Sequence, residues 1–364
     1  MVLLYIFAIV VLINCCFYIL FAKFSFSKPL VKNENQNSPA SLIVCAKNEA
    51  ENLKTNIPFW LGQKYPNFEI ILINDASYDD TLEVMESFAE KHPIIKIVNV
   101  ENNEAFWGSK KYALTLGIKK AQHQRMIFTD ADCKPASDNW LQEMSNHFSE
   151  KKQIVLGFGA YNKLSGILNK LIRFETFMTA VQYFSYAKAG IPYMGVGRNL
   201  AYSSKVFFDN RGFISHMDVS SGDDDLFINE VATKENTAIC FSKESFTISE
   251  PKKTWKEWIL QKRRHLSTAK HYKAKHKILL GLYYLSNLLF WSLAIASFVF
   301  LDWKIPLAIV LFRFIIQLII LRKSAIKLDQ QDLLFWLPFL ELFLILFQFS
   351  IFISNSSSKP TSWK

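Results

Sequence analysis

Phe128-Thr129-Asp130-Ala131-Asp132 is the stretch on which the reading of this chain turns. An apolar run that begins at Arg125 stops abruptly at two carboxylates one residue apart. Positions i and i+2 of an extended segment point the same way, so both acids face one ion or one ribose. Hard oxygen ligands of this kind favour Mg²⁺ or Mn²⁺, which complete their shells with phosphate oxygens and water. Taken alone the motif also fits two acids that merely cap the next loop. Upstream, residues 41–46, 68–73 and 94–98 repeat the same short apolar run, and helical patterns fill 51–61, 80–91 and 110–121. Buried strands separated by helices imply an α/β fold, a mostly parallel sheet with helices on both faces. Ligands in such sheets bind beyond the carboxyl ends of the strands, which is where the acids of this sequence gather.

The second strand closes in Ile73-Asn74-Asp75-Ala76-Ser77-Tyr78-Asp79-Asp80-Thr81. Asp75 is placed to accept from a uracil N–H or a ribose hydroxyl, whereas Asp79 or Asp80 suits the N-cap of the following helix. Ala46-Lys47-Asn48-Glu49 leaves the first strand beside it. Lys110 opens a helix, where it either adds positive charge near a nucleotide or is an ordinary solvated helix start. Ser221-Gly222-Asp223-Asp224-Asp225-Leu226 sets three acids before an apolar run, a costly arrangement unless a cation, a helix N-terminus or a reacting proton needs it. In Gln261-Lys262-Arg263-Arg264-His265, Gln261 and Arg264 share a helix face, and Arg suits a diphosphate.

Together and in this order, these segments resemble the inverting family 2 of glycosyltransferases, over about residues 40–270. The resemblance implies a GT-A nucleotide-sugar domain, with Asn48, Glu49, Asp75, Ser77 and Asp79 marking the nucleotide pocket. It places Asp130 and Asp132 on a divalent metal and the donor diphosphate, with Lys110 beside them. Gly197, Asn199 and Ala201 match the acceptor-side motif, and Asp223 and Asp224 match the base motif, with Asp224 in the base position. Gln261, Arg264 and His265 match the terminal Q-x-x-R-W of the membrane-embedded branch that includes cellulose, chitin and hyaluronan synthases. His265 stands where that branch has Trp, and offers a smaller stacking surface that suits an acceptor hydroxyl or a phosphate. The implied reaction is one inverting displacement from a nucleotide-sugar, a UDP-sugar by the family's commonest donors, onto a lipid or lipid-linked glycan.

The rest of the chain supports a membrane setting. Half of its 364 residues are hydrophobic, and residues 1–22 carry no charge, enough to cross a hydrocarbon core of roughly 30 Å. Residues 279–301, 305–321 and 333–354 form three further apolar stretches, interrupted by Arg313 and Glu341, which either pair or face an acceptor path. The division expected is an N-terminal span (1–22), a linker (23–39), the GT-A domain (40–250), an interfacial amphipathic segment (251–277), three spans (279–354) and a polar tail (355–364). Basic residues before the second span and between the third and fourth set the catalytic domain on the cytoplasmic side of a bacterial-type inner membrane. The net charge of +10 reads as attraction to anionic lipid and phosphate, and no nucleic-acid module accompanies it. Five scattered cysteines make no C-x-x-C pair, and no phosphate-binding G-x-x-x-x-G-K-[ST] loop is present. Two alternatives stand beside a single-addition transferase. Three spans after the domain are scant for the channel of a processive polysaccharide synthase. A catalytically inactive sugar-nucleotide-binding scaffold would be expected to have lost Asp132 or Asp224, and both are present.

Overall fold

The computed structural model describes residues 1–29, 38–101, 110–219 and 221–357, so the expected linker and tail lie partly outside the described residues. In chain order the helices are α1 (Val2–Ser25), α2 (Ala50–Leu61), α3 (Thr81–Ala89), α4 (Lys110–Lys120), α5 (Trp140–Ser145), α6 (Ile167–Lys188), α7 (Ser204–Asp209), α8 (Asp225–Val231), α9 (Trp255–Leu266), α10 (Ala274–Phe300), α11 (Lys304–Leu328) and α12 (Leu337–Ser357). The strands are β1 (Ala40–Ala46), β2 (Phe68–Asp75), β3 (Ile95–Val100), β4 (Arg125–Asp130), β5 (Cys133–Pro135), β6 (Ile154–Leu156), β7 (Gly159–Tyr161), β8 (Leu200–Ser203), β9 (Thr237–Ile239) and β10 (Thr247–Ser249). They divide into an α/β unit, Pro29–Lys163 with Gly190–Lys252, and a helical unit built from Met1–Lys28, Leu164–Ala189 and the chain from Lys253.

The α/β unit is organised around a seven-stranded sheet of order β3-β2-β1-β4-β8-β6-β9. β1 lies at its centre, parallel to β2 and to β4, and the strand order reverses there. Among the described strands of this sheet, β8 alone runs antiparallel, against both β4 and β6. A second sheet, β5-β10-β7, flanks it. Alternation along the strands sends side chains to two covered faces. Leu42, Val44, Ile70, Leu72 and Ile127 join the residues of α2, α3 and α5 in one core. Ile71 and Ile73 point to the other face, where α4 approaches so closely that a Cβ on Gly117 would lie 2.2 Å from Ile73 Cδ1. The pairing ladder continues past the apolar runs, with Asp75 opposite Val100 and Asp130 opposite Cys45. Both acids therefore sit on strand ends with a fixed direction and not in the loops beyond.

In the helical unit, four segments are long and apolar enough to cross a membrane: Val2–Ser25, Ala274–Phe300, Lys304–Leu328 and Gln331–Asn355. Arg313 and Glu341 resolve their alternatives by pairing, at 2.5 Å, with the guanidinium fully buried. The same guanidinium donates to Asn14 Oδ1, Gln317 Oε1, Tyr18 Oη and Asn287 Oδ1, so its donors are met from α1, α10, α11 and α12. α6 is a core helix of this unit, with Leu171, Phe174, Phe177 and Phe184 buried and Arg173 ion-paired to Asp332 at 2.6 Å. All five cysteines are free thiols.

Candidate active site

At the carboxyl end of the sheet, the loops after β1 and β2 are tied together by the side chains that sequence reading placed at a nucleotide pocket. Asn48 adopts a left-handed backbone conformation (φ 56°), which Asn tolerates better than most residues. Its N–H donates to Ser77 Oγ at 3.0 Å, and its Oδ1 accepts from the Tyr78 N–H at 2.9 Å. Asp79 accepts from Ala50 N at 3.3 Å and from Thr81 N at 3.2 Å, so one carboxylate serves the first turns of both α2 and α3. Burial opposes its ionisation, but these hydrogen bonds outweigh it and hold Asp79 below the usual carboxylate range. Glu49 opens α2 and accepts from Asn52 Nδ2. Asp75 differs from all of these. It is buried to 2% exposure, and its Oδ2 has no hydrogen-bond partner among the described residues. Burial lifts its carboxyl above the ordinary range, against the pull of Lys47 and Lys110. A buried orphan acceptor is costly unless a ligand donor meets it.

Asp130 ends β4, and Asp132 follows, exposed. One ligand atom from each of Asp130, Asp132 and Cys133 falls within 4.8 Å of the others, a spacing that one cation could span. Two carboxylates suit a hard divalent ion. The Cys133 thiol is buried, lies 3.4 Å from Asp132 Oδ1 as a donor, and burial pushes its pKa well up, so the carboxylates are the fitting ligands. Although Asp132 faces solvent, the protein packed around its carboxylate and the like charges of Asp130 and Glu49 raise it. Lys110 is not a solvated helix start. Its ammonium lies 2.9 Å from Asp130 Oδ1 and 3.1 Å from Asp223 Oδ2, with 12% of the side chain exposed. One lysine thereby joins the strand-end acids to the acidic run that begins α8.

Within that run, Asp224 is the N-cap of α8. Its Oδ1 accepts from Asp225 N at 2.7 Å, and its Oδ2 accepts from Gly197 N at 2.6 Å. Burial, and then the charges of Asp223 and Asp225, push its pKa up to about 8, against Lys110 and the Gly197 N–H. Burial is the larger of these causes, ahead of the like charge of the acidic run. A cavity of about 20 Å³, bounded by Cys45, Lys110, Asp130, Gly197 and Asp224 among others, lies beside these groups. It has room for about one water-sized group.

Two side chains that sequence reading passed over stand close by. Arg198 Cζ lies over the Tyr161 ring, 4.2 Å from its centroid, and the guanidinium donates to Ser249 Oγ at 3.2 Å. Gly159 is what lets it do so, since a Cβ there would fall 2.5 Å from Arg198 Nε. Lys111 is buried beneath the loop before Asp223. Lone basic residues at a helix start and inside a G-x-N motif carry no sequence signal of either contact.

Asn199 requires a correction. It was expected to face the acceptor, but it is fully buried. Its Oδ1 accepts from Trp140 Nε1 at 3.1 Å, and its Nδ2 donates to Phe158 O at 2.9 Å and Ser245 O at 2.7 Å. With its donors used inside the core, it braces the segment that presents the Gly197 N–H. Gln261, Arg264 and His265 lie on α9, which belongs to the helical unit. There, Gln261 Oε1 is a buried acceptor without a partner among the described residues.

Residues 41–207 match the family model for glycosyl transferase family 2. The chain is 36% identical, over 104 residues, to poly-beta-1,6-N-acetyl-D-glucosamine synthase of Staphylococcus epidermidis, a match covering 28% of this chain and 24% of that one. It is 27% identical, over 194 residues, to the dolichyl N-acetyl-alpha-D-glucosaminyl phosphate 3-beta-D-2,3-diacetamido-2,3-dideoxy-beta-D-glucuronosyltransferase of Methanococcus voltae, covering 49% and 58%. The chain thus spans about a quarter of the first of these relatives and somewhat over half of the second. Among solved structures, the mannosyltransferase PcManGT of Pyrobaculum calidifontis, in complex with GDP-Man and Mn²⁺, superposes with a TM-score of 0.59 at 17% identity, covering 93% of this chain and 99% of that one.

Proposed function

From the match of residues 41–207 to the family 2 glycosyltransferase model and from the GT-A fold, we propose that the chain moves a sugar, with inversion, from a UDP-sugar to a lipid or lipid-linked glycan at the cytoplasmic face of the membrane. The observation that carries the reading is the Lys110 bridge, because it draws the acids suited to a donor and the acids suited to a base into one site. Asp75 would accept from the N–H of the base or from the ribose, the one kind of partner its buried Oδ2 lacks. Asp130 and Asp132 fit a divalent ion, Mn²⁺ or Mg²⁺, which would neutralise charge on the leaving diphosphate. Asp224 would take the proton of the acceptor hydroxyl, and a pKa near the working pH is what a general base requires. Asn48 and Glu49 frame the nucleotide loop, while Gln261 and Arg264 would grip the diphosphate and His265 the acceptor.

A membrane acceptor is supported by the four apolar helices and by α9, which exposes Trp255, Ile259 and Leu260 among basic residues. The name of the Methanococcus relative, a dolichyl-phosphate-linked acceptor, is consistent with it. Similarity to a polysaccharide synthase favours processive addition as a second reading. Detergent-solubilised protein given UDP-glucose or UDP-N-acetylglucosamine, Mn²⁺ and lipid extract is expected to release UDP. Release should stop with a chelator and fall roughly 10²–10⁴-fold in Asp224→Asn while UDP binding persists. Mass spectrometry separates single from repeated addition. Retained activity in Asp224→Asn would remove the base assignment, and absence of any sugar-nucleotide binding would remove the proposal.

A further inference from the structure

Lys111 is one of the most buried charged groups of the α/β unit, at 2% exposure, and no residue of the proposed chemistry touches its ammonium. Instead Lys111 Nζ donates to His216 O and to Val219 O, both at 2.7 Å. These two carbonyls belong to a tight turn, since the Val219 N–H itself donates to His216 O at 3.2 Å. Asp223 follows Val219 by four residues. Gly222 has φ 99°, in the left-handed region, and a Cβ there would lie 2.5 Å from Leu226 Cδ1. Four residues of backbone span at most about 14 Å, so the 216–219 turn bounds how far Asp223 can move from α4. Two lysines that follow one another at the start of α4 thus act on one loop. Lys110 holds a carboxylate of the acidic run, and Lys111 holds the backbone that leads to it.

We propose that Lys111 is a positioning residue for the base, a buried cation that fixes the loop carrying Asp223 and Asp224 to α4. This rests on the reading of Asp224 as the base. Charge-assisted bonds are about twice as strong as neutral ones, and two of them converge on one turn. The surroundings bear on the charge itself. Burial brings the ammonium down to about 8, while Asp223, Asp225, Asp218 and Asp224 hold it up; Lys110 precedes it on α4, and His216 stands on the turn. Above that pH the clamp loses its charge.

The test uses the full chain, with UDP and Mn²⁺ as the binding probe and turnover of UDP-N-acetylglucosamine or UDP-glucose as the activity. Lys111→Met is expected to lower kcat on the order of 10²-fold, as small displacements of catalytic groups do, while the Kd for UDP stays within about twofold. Amide exchange of residues 214–222 should quicken in the same variant, and Lys111→Arg, which keeps its charge, should hold activity to higher pH than the wild type. A Lys111→Met enzyme with kcat within about twofold of wild type overturns the proposal, as does a parallel loss of UDP binding, which would mark general loosening. Should that variant not fold, the wild type decides. A fall in kcat above about pH 8 together with a loss of exchange protection in 214–222, measured against the intrinsic base-catalysed rate, supports the clamp, and protection that stays constant through that range overturns it. Asp224→Asn, run alongside, keeps the two readings apart. If it is as active as wild type, the base assignment has failed, whatever Lys111 does.

Discussion

Asp224 sits in a place that disfavours its charge, and two measurable consequences follow. Its carboxyl is raised to about 8, first by burial and then by Asp223 and Asp225. If Asp224 is the base it acts when ionised, so kcat/KM is expected to climb with pH up to about 8, and above it to fall as Lys111 loses its charge. A pH-independent kcat/KM between 6 and 9 would be incompatible with this assignment. Stability moves the other way. A carboxyl raised in the folded state contributes stability that is complete below its unfolded value, about 3.9, and is lost as pH rises through the folded one. Asp224→Asn removes that slope, so its melting temperature should exceed the wild type's by a margin that widens from pH 4 to pH 8. Sequence made the acidic run conspicuous but not its burial, because the Gly197 N–H and Lys110 arrive from distant segments. For the same reason Asn199 was misread. A motif shows an amide, and only the fold shows that Trp140 and Ser245 enclose it.

The elements divide by how much sequence each needs to declare itself. β1, β2 and β4 announce a parallel sheet through apolar runs that end in acids, and α2 to α4 through the periodic patterns between them. β8 is four residues long, too short for any periodicity, and its antiparallel course depends on strands far away in the chain. α9 opens on a capping box. Thr254 Oγ1 accepts from Glu257 N at 3.3 Å, and the Glu257 carboxylate accepts from Thr254 N at 3.4 Å, a reciprocal cap visible as T-x-x-E. What the sequence conceals is how α9 is held, by Lys262 paired to Glu175, Arg263 bonded to Asn355, and Trp258 stacked 4.2 Å from Phe347. Thr254→Ala is expected to cost about 1 kcal/mol in denaturant unfolding. If α9 holds the diphosphate through Arg264, transfer should fall in step with any fraying that proteolysis detects near residue 254.

At the scale of the whole molecule, a buried electrostatic network ties the helical unit together. Arg313 and Glu341 were visible as charges interrupting apolar spans, but their partners Asn14, Tyr18, Asn287 and Gln317 looked like incidental polar residues. Each of the four candidate spans supplies at least one member of this network, the last of them through Glu341, so the network fixes which helix faces which. Replacing Glu341 by Ala would leave the guanidinium buried without its counter-charge, a change worth about 3–5 kcal/mol. Arg313→Met combined with Glu341→Ala should recover part of that loss, as judged by unfolding in detergent. Equal stabilities for the single and double variants would show that the pair is not coupled.

The chain leaves the α/β unit at Lys163 and returns to it at Gly190, having built α6 into the helical unit on the way. No uninterrupted stretch of peptide therefore corresponds to the catalytic half alone. A fragment cut to residues 29–252 would still carry Leu171, Phe174, Phe177 and Phe184, stripped of α1 and α12 that pack against their helix. Such a fragment is expected to precipitate, so the enzyme has to be prepared, and its kinetics measured, with its apolar helices attached.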